Sequence, residues 1–272
     1  VVWEVPGPPG APALVLLHGV TLTSALNWSA VVGTLARSYR LILLDQRGHG
    51  DGLRCRTFRV EDCADDVAAV AAALGIPQVV AVGYSMGGLV AQTLWRRHPR
   101  LTAGLVLCST ARNVAGSPWE RSVALALPGL VTAATFMPAV HALRADLVGM
   151  HLLDRDTDPA DRRWALGQMR RTSLLTALSA VQAVCGFTSH SWIGAVDVPT
   201  CVIVTRDDRV VPAHRQHRLA RAIPGSTLVE IDGGHDVFLD APGRFAAAVL
   251  AACDAVCTGA TGGAAPAASG VS

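Results

Sequence analysis

Lysine is absent from this 272-residue chain; all 23 basic residues are arginine, which beside the abundant alanine reads as coding bias rather than as an arginine-specific surface. Charge is scarce altogether, at 16% of residues, and a net charge of +2 gives no reason to expect nucleic acid as a partner. No two cysteines stand in CxxC spacing, so no zinc site is indicated. The seven cysteines are odd in number and lack tight pairing, and Cys108 and Cys201 fall inside apolar runs. They are expected as buried, reduced thiols in a cytoplasmic protein. The chain opens at Val1 without a positively charged stretch leading into an apolar run, so a signal peptide is expected to be absent or already removed.

What is abundant is apolar: 51% of residues are hydrophobic, enough in a chain of this length for one large α/β domain. Compact apolar runs at 13–17, 41–44, 78–82, 103–108, 200–205 and 227–231 have the character of strands buried in a parallel sheet, and residues 1–5 suit an edge strand. Between them, 26–37 reads as a helix. Residues 60, 63, 64, 67, 70, 71 and 74 form the one-sided stripe of another, stopped by Gly75 and Pro77. Glu61, Asp62, Asp65 and Asp66 crowd its first turns, where negative charge suits the helix dipole; a solvated face is expected there rather than a metal site.

The run 78–82 leads into Gly83-Tyr84-Ser85-Met86-Gly87 and then into helix-like sequence. A serine on a sharp strand-to-helix turn has its hydroxyl exposed, and the two glycines omit side chains that would clash there. Alone, Gly-x-Ser-x-Gly also fits an ordinary turn, so the partners before and after it decide. The strand at 13–17 ends in His18-Gly19-Val20-Thr21, the strand at 41–44 in Asp45-Gln46-Arg47-Gly48-His49-Gly50, the strand at 200–205 in residues 206–212, and the last strand in Asp232-Gly233-Gly234-His235. Taken together these resemble the α/β-hydrolase fold, a mostly parallel central sheet flanked by helices with a helical cap inserted after the sixth core strand.

The resemblance implies Ser85 as nucleophile and His235 as general base. It implies Asp208, four residues before Pro212, as the acid, with Asp207 as its rival. The backbone amides of Val20 and Met86 would form the oxyanion hole, where losing one donor costs roughly 3 kcal/mol of transition-state stabilisation. Asp45 and Arg47 would pair to fix their turn, and His49 would lie near the site mouth. Residues 109–113 hold no acid, which excludes the other place where members of the fold keep theirs. His214 and His217 read as a helix face.

The core would comprise 1–113 and 197–257, the cap 114–196, and 258–272 a disordered tail. Residues 122–143 contain no Asp, Glu, Arg or Lys. They suit a folded cap broken at Pro128-Gly129 and Pro138, or a membrane anchor, with contact to a membrane surface not expected. Leu127, Leu130, Phe136 and Met137 either line an apolar acyl pocket or only pack the cap; the charged stretch 154–171 is expected to face solvent. By the resemblance the chain is a serine hydrolase of the carboxylesterase or lipase type, needing no cofactor and acting on a small-molecule ester with an apolar acyl group. A lactonase, carbon–carbon bond hydrolase, acyltransferase or perhydrolase would use the same three residues. A ligand-binding protein that does not turn over is the alternative of another class.

Overall fold

Seven short runs of aliphatic residues come together as one sheet in the computed structural model, which describes residues 2–55, 57–114, 118–149 and 158–262. In chain order the core elements are β1 (Val2–Val5), β2 (Ala13–Leu17), α1 (Ser24–Leu35), β3 (Arg40–Leu44), α2 (Val60–Ala73), β4 (Val79–Tyr84), α3 (Met86–Arg97) and β5 (Thr102–Cys108). Among the described residues, α4 (Pro118–Thr135), α5 (Pro138–His141), α6 (Asp146–Gly149), α7 (Pro159–Met169) and α8 (Leu174–Gly186) follow. The core resumes with β6 (Thr200–Thr205), α9 (Ala213–Ala222), β7 (Thr227–Ile231), α10 (Val237–Asp240) and α11 (Pro242–Gly262).

The strand order is β1-β3-β2-β4-β5-β6-β7. Only β1 runs antiparallel, pairing Val2 to Val5 with Leu44 to Leu41. Strands β2, β4 and β6 are buried along their whole length, the signature of a sheet covered on both faces. On one face α2 and α3 pack through Val60, Ala64, Val67, Leu89, Val90 and Leu94. On the other, α1 and α11 bring Trp28 and Phe245 together, stacked with ring centroids 5.9 Å apart, and both set their edges against Tyr84. Full burial of such side chains stabilises by about 1.5–3 kcal/mol each as an upper bound. Both helix layers therefore press on β4, the strand that ends at Ser85.

Three expectations change. The insertion leaves the sheet after β5, the fifth strand in chain order, because a single strand, β1, precedes β2 at that edge. Pro128 does not break its segment but sits inside the continuous α4: proline forfeits one backbone bond, and packing of α4 along α8 holds the rest. Helix α11 runs on through Gly262, five residues into the stretch expected to be a disordered tail, with Gly259 against Pro199; residues 263–272 lie outside the described part. Among the described residues no helix is long and apolar enough to cross a membrane.

Candidate active site

Strand β4 delivers Ser85 at its carboxyl end, in an open sheet the place where crevices form. The serine adopts φ 52° and ψ −115°, a conformation rare outside glycine. Hydrogen bonds over-determine it: its N–H reaches the Cys108 carbonyl at 2.9 Å, and its own carbonyl accepts from Thr110 Oγ1 at 2.8 Å and Gly88 N at 2.9 Å. The flanking glycines are required by contact. A Cβ on Gly83 would collide with the Gly87 carbonyl, and one on Gly87 with the Leu17 carbonyl. Strain of this kind costs about 1–3 kcal/mol and persists only where the surroundings enforce it.

His235, in the loop between β7 and α10, points Nε2 at Ser85 Oγ at 3.0 Å and Nδ1 at Asp208 Oδ2 at 2.8 Å. A carboxylate only accepts, so Nδ1 carries the ring proton and Nε2 faces the serine hydroxyl as an acceptor. Tyr84 donates its hydroxyl to the His235 carbonyl at 2.6 Å, fixing the backbone from which the imidazole hangs. Burial, first of all, pushes that phenol well above its ordinary range, so it remains a donor.

The Asp208 side chain is fully enclosed. Its Oδ1 accepts from the amides of Val210 and Val211 at 2.9 and 2.8 Å; its Oδ2 accepts from Thr205 Oγ1 at 2.9 Å and Gln216 Nε2 at 3.3 Å, besides the imidazole. Asp207, the rival, is exposed, and its amide bonds the Gly233 carbonyl. Only Asp208 joins Ser85 and His235. Gln216, fully buried in α9, also accepts the Thr205 amide at 3.1 Å and donates to the Val211 carbonyl at 2.7 Å, bridging the end of β6 to the loop that bears Asp208. Sequence reading passed over Thr205, Gln216 and Tyr84. Gln216 had a signal: it is the one polar residue on the buried stripe it forms with Leu219 and Ala220.

Val20 lines the same small cavity as Ser85 and His235. Met86 opens α3, so its N–H is among the first-turn amides for which the helix has no carbonyl. The loop carrying Val20 is braced from below. The Gln46 amide donates to His18 Nε2 at 2.9 Å, Gln46 Nε2 to the His18 carbonyl at 2.6 Å, and the Gly19 amide to Asn27 Oδ1 at 2.9 Å. Burial pushes His18 below its ordinary pKa despite Asp45, in keeping with a neutral ring that accepts at Nε2.

Other expected roles differ. Asp45 accepts from the amides of Ser24 and Asp51, while Arg47 forks onto Asp66 and reaches Asp62, so the two are not a pair. Two of the acidic residues on α2 thus hold the 45–53 loop, and Asp65 pairs with Arg97 and His98. His49 is not at a mouth but fully buried, edge-on to His18 and Phe58. His217 lies on α9 beside Glu230 at 3.2 Å.

The cavity at Ser85 measures about 30 Å³ and takes its apolar wall from Leu22, Met169, Val210 and Phe238. Of the four residues expected in an acyl pocket, Leu127, Phe136 and Met137 do not line it. Phe136 and Met137 are 83% and 55% exposed, Leu127 is half-buried, and the Leu130 side chain lies outside the described part. Helix α4 lies along α8, and its Pro128, Val131 and Thr132 border a separate space of about 620 Å³ facing Phe58 and Thr176. Nor does all of the charged stretch face solvent, since Ala165 and Met169 of α7 are fully buried; residues 154–157 lie outside the described part.

Residues 12–242 match the sequence pattern of the alpha/beta hydrolase fold. The chain is 33% identical over 246 residues to a pimeloyl-[acyl-carrier protein] methyl ester esterase of Xanthomonas campestris, covering 84% of this chain and 89% of that one. It is 28% identical over 243 residues to a RutD protein of Agrobacterium fabrum named for carbamate hydrolysis, covering 86% and 90%. A solved hydrolase from Pseudomonas aeruginosa superposes with a TM-score of 0.76 at 25% identity, covering 93% of each chain. With the family pattern spanning most of its length and the sheet, elbow and loops in matching order, this chain belongs to the alpha/beta hydrolase family.

Proposed function

We propose that the protein is a serine hydrolase that cleaves carboxylic esters through an acyl-enzyme on Ser85. The observation that carries this reading is the continuous chain from Ser85 Oγ through His235 to the enclosed Asp208 carboxylate. Ser85 Oγ attacks the ester carbonyl carbon while His235 Nε2 takes its proton, and the Asp208 carboxylate stabilises the imidazolium that results. Negative charge passes to the former carbonyl oxygen, where the Val20 and Met86 amides receive it. Collapse of the tetrahedral species expels the alcohol, which takes the proton from His235. Water, deprotonated by the same imidazole, then attacks the acyl group; the acid leaves and Ser85 regains its hydrogen.

The same three groups serve lactones, carbon–carbon bonds, acyl transfer and perhydrolysis. The likeness to a methyl ester esterase weighs toward esters. Treatment with a fluorophosphonate, followed by mass mapping, tests the chemistry directly: stoichiometric modification of Ser85, lost in Ser85→Ala together with p-nitrophenyl acetate hydrolysis, is the expected result. A folded protein that neither reacts nor hydrolyses any ester would instead be a ligand-binding member of the family.

A further inference from the structure

We propose that the acyl site is a short blind pocket, sized for acyl groups of about two to four carbons, and that Met169 sets that limit. The inference rests on the hydrolase reading and adds a substrate class to it. The cavity at Ser85, about 30 Å³, has room for about two water molecules on the scale where one needs about 10–15 Å³. Three of its apolar walls, Leu22, Met169 and Phe238, are 5%, 0% and 5% exposed, whereas Val210 is 41% exposed. We take the enclosed Leu22, Met169 and Phe238 as the closed side and the exposed Val210 as the side toward solvent. During the reaction the alcohol must depart while the acyl group stays on Ser85, so the alcohol takes the Val210 side and the acyl group the closed one.

A methionine is ordinarily a yielding wall, because its unbranched side chain repacks easily. Here its backbone is held on both sides by bonds from the cap to the core. Gln168 accepts from Thr23 Oγ1 at 3.0 Å, Thr172 Oγ1 accepts from the Gly50 amide at 3.2 Å, and Arg171 pairs with Asp51. Residues 168–172 are thus fastened over the loops that flank Ser85, and Met169 hangs from the fastening into the cavity. Among the described residues, the larger space between α4 and α8 shares no lining residue with the cavity at Ser85.

The experiment varies only the acyl group, using p-nitrophenyl esters from acetyl to palmitoyl, and reads kcat/KM for the wild type, Met169→Ala, Met169→Phe and Phe136→Ala, each checked for folding by its thermal melt. The wild type should be fastest at two to four carbons and about 100-fold slower at octanoyl. Met169→Ala should raise the octanoyl-to-acetyl ratio at least about tenfold, Met169→Phe should lower the butanoyl-to-acetyl ratio, and Phe136→Ala, altered on the exposed outer surface, should leave the profile in place. If Met169→Ala does not fold, Met169→Phe decides alone.

A wild type that prefers octanoyl or longer chains, or ratios that ignore residue 169, overturns the proposal while leaving the nucleophile intact. If no p-nitrophenyl ester turns over but a fluorophosphonate modifies Ser85, the same comparison is made on modification rates with ethyl and octyl phosphonates. If neither reaction occurs, the hydrolase reading falls and this inference with it.

Discussion

Replacing Asp208 with asparagine removes one charge and alters almost no volume, yet it should nearly silence the enzyme. The Asp208 Oδ1 site is spoken for by two backbone donors, Val210 N and Val211 N. An asparagine must satisfy them with its oxygen, which turns its NH₂ toward Thr205, Gln216 and His235. A donor then faces His235 Nδ1, so the ring proton moves to Nε2, where it opposes the Ser85 hydroxyl instead of accepting from it. The wrong tautomer and the lost stabilisation of imidazolium together cost about 10⁴-fold in kcat, or about 5.5 kcal/mol of transition-state free energy. Asp207→Asn, at an exposed position, should stay within about threefold of wild type. Initial rates on p-nitrophenyl acetate, taken with thermal melts to establish that both variants fold, make the comparison. A folded Asp208→Asn protein within tenfold of wild type, or an equal fall in Asp207→Asn, would refute the assignment.

Thr205→Val removes a donor from Asp208 Oδ2 and the acceptor of one Gln216 N–H; with the carboxylate less firmly held, kcat/KM on p-nitrophenyl acetate should fall about tenfold in a variant that its thermal melt shows to be folded. Burial, with His18 beside it, holds His49 down at about 3 in the folded chain, against about 6.5 when unfolded. Below pH 6.5 the unfolded state therefore gains a proton that the folded state refuses, and stability falls by about 3 kcal/mol on reaching about pH 4.5 from this residue alone; denaturant melts should find a smaller acid loss in His49→Gln.

Much of this architecture is legible in the residues. Parallel strands buried on both faces read as unbroken aliphatic runs, and the tight elbow must carry glycine at 83 and 87. Ser85, Asp208 and His235 are recognisable because each closes a strand with a distinctive loop. What escapes is whatever depends on partners distant in sequence. Asp45 and Arg47 lie two apart yet bond elsewhere, since Arg47 finds its carboxylates a turn apart on α2. The apolar wall above Ser85 includes Met169, at the end of a charged helix, while α4 lies along α8 and borders a different space. Composition marks which segments are oily and says little about which neighbour they meet.

The parallel pairing of β5 with β6, Leu105 beside Thr200, joins two stretches of chain separated by the entire cap. Closing a loop of about 90 residues costs about 2 kcal/mol more entropy than closing one of about 10, so this seam gains least from chain connectivity. It also divides the groups of the proposed mechanism: the Ser85 hydroxyl and the Val20 and Met86 amides arise before the seam, the Asp208 carboxylate and the His235 imidazole after it. A chain emerging from its N-terminus would thus lay down five strands with an inert serine at their tip, and chemistry would begin only when the final strands docked. On the proposed mechanism, turnover would in that sense certify completed assembly.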